Sequence, residues 1–399
     1  MSQYTQRQRR YNSNGRSKFT NKKRGGSRGF RKSYIDPSKF VRAARPQKTE
    51  EKVELHYFNE FNLHPAIARN LEIAGFKHPS PIQYQSIPHS LQGKDIVGIA
   101  NTGTGKTAAF AIPVINRLLD SPSKSAIILA PTRELAQQIE DQFRKLVQGT
   151  NLRTAILIGG VSMGPQFKQL SHKPRIIIGT PGRIKDHYER KSLQLSNINM
   201  VVLDEVDRML DMGFVDDIRD ILSLTQPDKQ SLYFSATLDN RVKDIIGGFS
   251  TDPVHISIKS NETSDNIDQN IVQFSSASDK MNKLHEILVQ DNQMKTLVFD
   301  DTHRSVDDIT KELVARGFIA DSIHGGKSQA KRQRVLKNFK NNSIQVLVAT
   351  DVAARGIDVS DITHVINYSL PQDYESYVHR IGRTGRAGKV GYALTFVSR

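Results

Sequence analysis

Between residues 95 and 237, short runs of branched apolar residues recur, separated by longer amphipathic stretches. They are DIVGIA (95–100), AIILA (126–130), RTAILIGG (153–160), RIIIGT (175–180), MVVLDE (200–205) and SLYFSAT (231–237). None alternates apolar with polar positions, so each is expected to bury both faces, as parallel strands do between two layers of helices. The pattern predicts an α/β doubly wound sheet. It breaks at KSNETSDN (259–266), a polar stretch without apolar periodicity that reads as a linker. It then restarts with KTLVFD (295–300), FIADSIHG (318–325), IQVLVAT (344–350), HVINYSL (364–370) and GYALTFVS (391–398). Two tandem α/β domains follow, at 51–258 and 267–399, and a length of 399 residues independently favours two domains over one.

Residues 1–50 belong to neither. They contain no leucine, and their aromatic residues (Tyr4, Tyr11, Phe19, Phe30, Tyr34, Phe40) are scattered among Arg, Lys, Ser, Asn and Gly. Such a segment buries too little apolar surface to offset its ordering entropy, so a disordered tail is expected over 1–50. The net charge of +16 is concentrated there: the segment holds 15 Lys and Arg against Asp36 and Glu50, leaving +3 for the remaining residues. The stretch KKRGGSRGFRK (22–32) joins charge, glycine and an aromatic ring, a composition suited to neutralising phosphates with occasional base stacking. A merely solubilising tail is the plainer alternative. The chain has no cysteine, which excludes disulfides, thiolate metal sites and cysteine nucleophiles. It lacks an apolar run long enough to span a bilayer and a signal-peptide core at its start, so it reads as soluble and intracellular, with no membrane partner.

Chemistry is concentrated in two stretches. ANTGTGKTAAF (100–110) follows an expected strand and opens an expected helix. Small residues there (Thr102, Gly103, Thr104, Gly105) let backbone N–H groups curl around phosphate oxygens, and the helix N-terminus adds partial positive charge. Lys106 would reach the β- and γ-phosphates, and Thr107 would ligate Mg²⁺. Ala100 stands where the usual pattern has its first glycine. The second stretch, VVLDEVDRMLDMG (201–213), carries a buried-type strand into three carboxylates. Crowded like charges call for a cation. Asp204 is expected to hold Mg²⁺, partly through water, and Glu205 to orient or deprotonate the attacking water.

With these stretches in place the chain resembles the DEAD-box ATP-dependent RNA helicases, with DEVD (204–207) as the tetrapeptide. The resemblance covers most of the chain outside the tail and implies two RecA-like domains, with ATP, Mg²⁺ and RNA as ligands. Phe58 and GFKHPSPIQ (75–83) resemble the adenine-reading motif, which implies that Gln83 reads the base edge and Phe58 stacks on the ring. PTRELAQQ (131–138), GG (159–160) and TPGR (180–183) imply RNA-backbone contacts from Arg133, Gly160, Thr180 and Arg183. SAT (235–237) implies that Ser235 and Thr237 pair with Asp207 and couple hydrolysis to strand separation. In the second domain, QAKR (329–332) and ATDVAARGIDV imply that Gln329, Arg332 and Thr350 face RNA and that Asp358 meets the ribose hydroxyls. HRIGRTGR (379–386) implies that His379 couples the domains and that Arg383 and Arg386 are arginine fingers on the γ-phosphate.

The resemblance implies a monomer that separates short RNA duplexes or remodels RNA–protein complexes with little sequence preference, with protein cofactors as further partners and a cytoplasmic location. Two departures stand out. Val206 replaces the family's alanine, which leaves the site unchanged if there is room and shifts Asp207 if there is not; room is expected. The sequence given ends at TFVSR on an expected strand, where the family usually continues with a covering helix. A DNA helicase or translocase on the same scaffold, and an RNA clamp that does not unwind, remain open alternatives.

Overall fold

The computed structural model describes residues 35–44, 55–101, 103–258, 266–290, 295–354, 359, 361–386 and 389–399. Thr102, Asp358 and all of the expected linker except Asn266 therefore lie outside the described residues.

The unalternated apolar runs form parallel strands. In the first domain these are β1 (Ile96–Ile99), β2 (Ala126–Leu129), β3 (Thr154–Leu157), β4 (Ile176–Gly179), β5 (Met200–Asp204), β6 (Gln230–Ser235) and β7 (Val254–Ser257). They line up as β3-β4-β2-β5-β6-β1-β7. One face of the sheet buries Ile128, Ile178, Val202 and Phe234 against Phe110, Ile112 and Phe143 of the covering helices. The other buries Ile127, Leu129, Val201 and Leu203 against Ile184, Met209, Ile221 and Val242. Burial on both faces is why these strands read as continuous hydrophobic runs.

The second domain repeats the design with β8 (Ile267–Phe274), β9 (Thr296–Phe299), β10 (Ala320–Ile323), β11 (Val346–Ala349), β12 (His364–Asn367) and β13 (Gly391–Ser398), in the order β10-β11-β9-β12-β13-β8, all parallel. The last apolar run, at the end of the sequence given, is thus an interior strand between β12 and β8. Two open α/β sheets of this kind are what the sequence predicts.

Three elements differ from that expectation. β7 and β8 sit at sheet edges and are only partly buried, so neither presents an uninterrupted apolar run to be read. The expected tail departs over ten residues only, and its residues 1–34 and 45–50 lie outside the described residues. Residues 35–44, assigned to a disordered segment, carry a 3-10 turn (Pro37–Phe40) whose Phe40 is fully buried in the second domain. Low average hydrophobicity over fifty positions hides one apolar anchor supported by local capping. Among the described residues, no helix is long and apolar enough to cross a membrane.

A nucleotide cleft between the domains and a candidate RNA face

Register brings three strand ends together. β6 lies between β1 and β5, with Ile99 opposite Ser235 and Asp204 opposite Phe234. The loops leaving β1, β5 and β6 therefore emerge side by side at the carboxyl edge of the sheet, where open α/β folds bind ligands.

The loop after β1 turns through Gly103 and Gly105, both at positive φ (86° and 94°), and Gly105 caps the helix Lys106–Asp120. No side chain fits at Gly105, because a Cβ would press on the Gln83 amide and the Ser80 hydroxyl. Thr104 Oγ1 donates to Asn101 O at 2.8 Å, and Lys106 Nζ donates to Ala100 O at 2.8 Å, folding the lysine back over the loop. Thr107 lines the cleft on the first turn of the helix.

At the end of β5, Glu205 adopts a left-handed conformation (φ 54°), uncommon for a non-glycine residue. Its N–H donates to Asp204 Oδ1 at 3.0 Å. Burial pushes the Asp204 carboxyl up to about 7; Lys106 opposes that rise, while Glu205 adds to it. A carboxylate so deprived of solvent and crowded by acids is the donor expected at a divalent-cation site, and the Thr107 hydroxyl lines the same cleft. The residues fit Mg²⁺. Glu205 is gripped by Arg208 in a buried ion pair.

Asp207 accepts at Oδ2 from Ala236 N and Thr237 N, each at 3.0 Å, and from Thr237 Oγ1 at 3.2 Å. Ser235 takes a different role from the expected one: its Oγ accepts from the Asp207 backbone N–H at 3.3 Å and does not touch the carboxylate. Val206 is fully buried in the apolar cluster with Met209 and Leu210, so its extra methyls fill core and leave the Asp207 contacts in place.

The second domain closes the cleft. Arg383 and Arg386 line one cavity of about 220 Å³ together with Gly103, Gly105, Lys106, Thr107, Asp204 and Glu205. A Cβ on Gly103 would stand 3.6 Å from the Arg386 guanidinium carbon. His379 lines a small neighbouring cavity with Lys106, Glu205, Asp207 and Arg208. Burial pushes its imidazole down to about 4, and the Arg208 cation reinforces the shift. The helix Tyr374–Ile381 that carries His379 is anchored by buried Arg380, which donates to Asp351 through Nε and Nη2 at 2.7 and 2.6 Å.

The adenine end departs from the sequence reading. Phe58 is buried behind the cleft, edge-on to Phe76 at 6.1 Å, and it is Phe76 that lines the cavity. Gln83 lines it too, yet its amide is already engaged: Oε1 accepts from Ser80 N and Nε2 donates to Gly105 O, both at 3.0 Å. Through the Ser80 contact Gln83 caps its own helix, the reciprocal arrangement of a capping box.

The expected RNA contacts gather on a separate ledge. The Arg133 guanidinium lies over Gly160, where a Cβ would collide with it. Arg183 Nη1 donates to Val161 O at 3.0 Å, and Thr180 is the residue before the helix Pro181–Glu189. Gln329 and Arg332, expected to face RNA, also reach Glu134 of the first domain: Nε2 of Gln329 donates to Oε1 at 3.1 Å and Nη2 of Arg332 donates to Oε2 at 2.7 Å. Gln329 Oε1, Arg332 Nε and Thr350 Oγ1 remain buried without a hydrogen-bond partner.

Arg208, Glu134 and Phe76 were not identified from sequence. Arg208 lies one turn beyond Glu205, where a charged residue reads as a solvated helix face. Glu134 follows Arg133 in PTRE, and its partners lie in the other domain.

Residues 80–245 match the DEAD/DEAH box helicase family and residues 279–388 the helicase conserved C-terminal domain. The chain is 46% identical over 343 residues to the DEAD-box ATP-dependent RNA helicase CshA of Bacillus subtilis, covering 86% of this chain and 69% of that relative. It is equally identical to the CshA of Bacillus licheniformis, of which it covers 70%. Among solved structures it resembles S. cerevisiae Dbp5 bound to RNA and ADP BeF3 (TM-score 0.77, 29% identity, 86% of this chain and 90% of that one). It also resembles Mss116p bound to ssRNA and AMP-PNP (TM-score 0.79, 28% identity, 90% and 77%). The chain belongs to the DEAD-box ATP-dependent RNA helicases.

Proposed function

We propose that ATP is bound by the Gly103–Thr107 loop and hydrolysed only when Arg383 and Arg386 arrive from the second domain. The observation that carries this reading is the shared lining of one cleft by the phosphate loop, Asp204, Glu205 and both arginines. Thr107 and Asp204 would hold Mg²⁺, directly or through water, and the ion would neutralise charge on the phosphates. Lys106 binds the β- and γ-phosphates. Glu205, fixed by Arg208, orients the water that attacks the γ-phosphorus; the bond to the β–γ bridging oxygen breaks, giving ADP and phosphate. Arg383 and Arg386 stabilise charge on the transferring group. Asp207 holds the Ala236–Thr237 loop and passes the state of the cleft to the domain interface.

RNA is proposed to lie along Arg133, Gly160, Thr180 and Arg183 and across to Gln329, Arg332 and Thr350. The buried, unpartnered polar atoms of the last three support a ligand there, since leaving such atoms unpaired costs about 1–3 kcal/mol each. Backbone contacts of this kind carry little sequence preference. Adenine is proposed to stack on Phe76, with the remaining Gln83 amide hydrogen at its edge. The protein would act as a cytoplasmic monomer, alone or with protein cofactors. The test is ATP hydrolysis with RNA and with DNA of the same sequence, for wild type and Glu205→Gln. RNA-specific stimulation lost in the variant is expected; equal stimulation by DNA would overturn the reading.

A further inference from the structure

The chain's first described residues pack on the far domain, not on the one that follows them. Asp36 accepts from Ser38 N at 2.9 Å and so starts the turn Pro37–Phe40. That turn delivers Phe40 into a socket formed by Ile267, Tyr377, Ile381 and Ala393, where it is fully buried. Its ring lies 4.7 Å from that of Tyr377, inclined by 58°. Two residues later Arg42 forms an antiparallel bridge with Gln269 on edge strand β8, each backbone N–H donating to the other's carbonyl oxygen, with N to O distances of 2.9 and 2.7 Å. Tyr377 Oη donates to the side chain of the same Gln269 at 3.0 Å, so the bridge and the ring contact meet on one pair of residues.

Tyr377 and Ile381 belong to the helix that leads into Arg383 and Arg386. It has only eight residues, too few to be stable by itself. Three of its side chains are buried: Arg380 is anchored inside the second domain, while Tyr377 and Ile381 are covered by Phe40. Beyond the helix, Gly385 sits between the two arginines and packs on Ile267, another wall of the socket; a Cβ there would lie 2.6 Å from Ile267 Cγ1. Phe40 therefore supports the arginine-bearing segment at two points, through the helix before it and through the strand residue beneath it.

We propose that residues 35–44 brace the catalytic arginines and that Phe40 is a positioning residue for ATP hydrolysis, acting through Tyr377, Ile381 and Ile267. The inference rests on the proposed role of Arg383 and Arg386. It assigns to part of the basic N-terminal segment a function distinct from RNA affinity. Removing the ring empties the socket and frees the helix to shift, and displacements of about 1 Å at a reacting centre cost up to about a hundred-fold in rate. Nucleotide affinity should change little, because the phosphate loop belongs to the other domain.

The test uses full-length protein well below each variant's melting temperature, and reads RNA-stimulated kcat and the KM for ATP. Phe40→Ala should lower kcat on the order of ten- to a hundred-fold, leaving KM for ATP near wild type, whereas Phe40→Leu should keep most of the rate. A synthetic peptide spanning residues 35–44 should restore Phe40→Ala, and the same peptide carrying alanine at position 40 should not. Should Phe40→Ala not fold, Arg42→Pro, which removes the N–H bonded to Gln269, gives the same comparison with and without peptide. A folded Phe40→Ala with wild-type kcat, or a loss of rate that the peptide does not relieve, would overturn the proposal. A wild-type protein without RNA-stimulated hydrolysis would refute the proposed function instead.

Discussion

Glu205 is constrained from two sides: a left-handed backbone sets its direction, and the Arg208 guanidinium fixes its carboxylate. Arg208→Ala leaves that carboxylate buried and unpaired, a loss that ordinarily costs about 3–5 kcal/mol. The expected result is a kcat reduced by about a hundred-fold or more with ATP binding retained, read by steady-state kinetics; an unchanged kcat would show that the pair is dispensable. Val206 gives the opposite kind of prediction. Its side chain is core, so Val206→Ala should destabilise the first domain by about 1–3 kcal/mol and lower its melting temperature. RNA-stimulated kcat should stay near wild type; a large rise would mean that valine had been displacing Asp207. The residue types at the phosphate loop and DEVD were legible because glycine, lysine and paired acids in that spacing serve few other purposes. Phe58 was assigned the place that Phe76 occupies, because both are aromatic, near the same motif, and in edge-to-face contact. Only packing distinguishes the ring on the cleft from the one behind it.

At the scale of elements, the domains meet through a buried ion pair as well as through the nucleotide cleft. Arg332 and Gln329, at the start of the helix Gln329–Lys340, close on Glu134 at the start of the helix Arg133–Leu146. Both Glu134 and Arg332 are buried, so truncating one strands the other at about 3–5 kcal/mol. Glu134→Ala should therefore lower the fraction of closed molecules at saturating ATP, measured by fluorescence transfer between dyes on the two domains, and a double-mutant cycle with Arg332→Ala should show coupling. Additive effects would contradict direct pairing. No signal in a single sequence links residues this far apart, which is why the pair could not be foreseen. Most strands were visible as apolar runs, the edge strands β3 and β10 among them, whereas β7 and β8 were not, since polar residues interrupt them: His255 and Ser257 in β7, and Asp268, Gln269, Asn270 and Gln273 in β8. The 3-10 turn at Pro37–Phe40 was missed for a related reason: its evidence is a cap, a proline and one phenylalanine inside a charged stretch.

At the scale of the whole molecule, residues 1–34 carry eleven Lys and Arg and no acid, while the brace begins at residue 35. Deleting 1–34 should weaken RNA binding and flatten its dependence on salt without lowering RNA-stimulated kcat; a lost kcat would contradict this division. Closure should also depend on pH. His379 faces Arg208, Asp207 and Glu205 from the first domain, with Arg383 and Glu375 on its own side, and its imidazole is held at about 4 against an ordinary 6.5. A depressed value means that the closed form excludes the proton, so this contribution is complete above about 6.5 and is lost as pH falls from there toward 4. RNA-stimulated hydrolysis should decline over that interval and His379→Gln should flatten the decline; an unaltered profile would remove His379 from the account. All of this depends on the second domain supplying the charge that completes the γ-phosphate site. The most direct measurement is RNA-stimulated ATP hydrolysis by Arg386→Ala alongside its ATP affinity: a fall of about 10³ to 10⁵ in kcat with affinity nearly intact is predicted, and a rate close to wild type would contradict it.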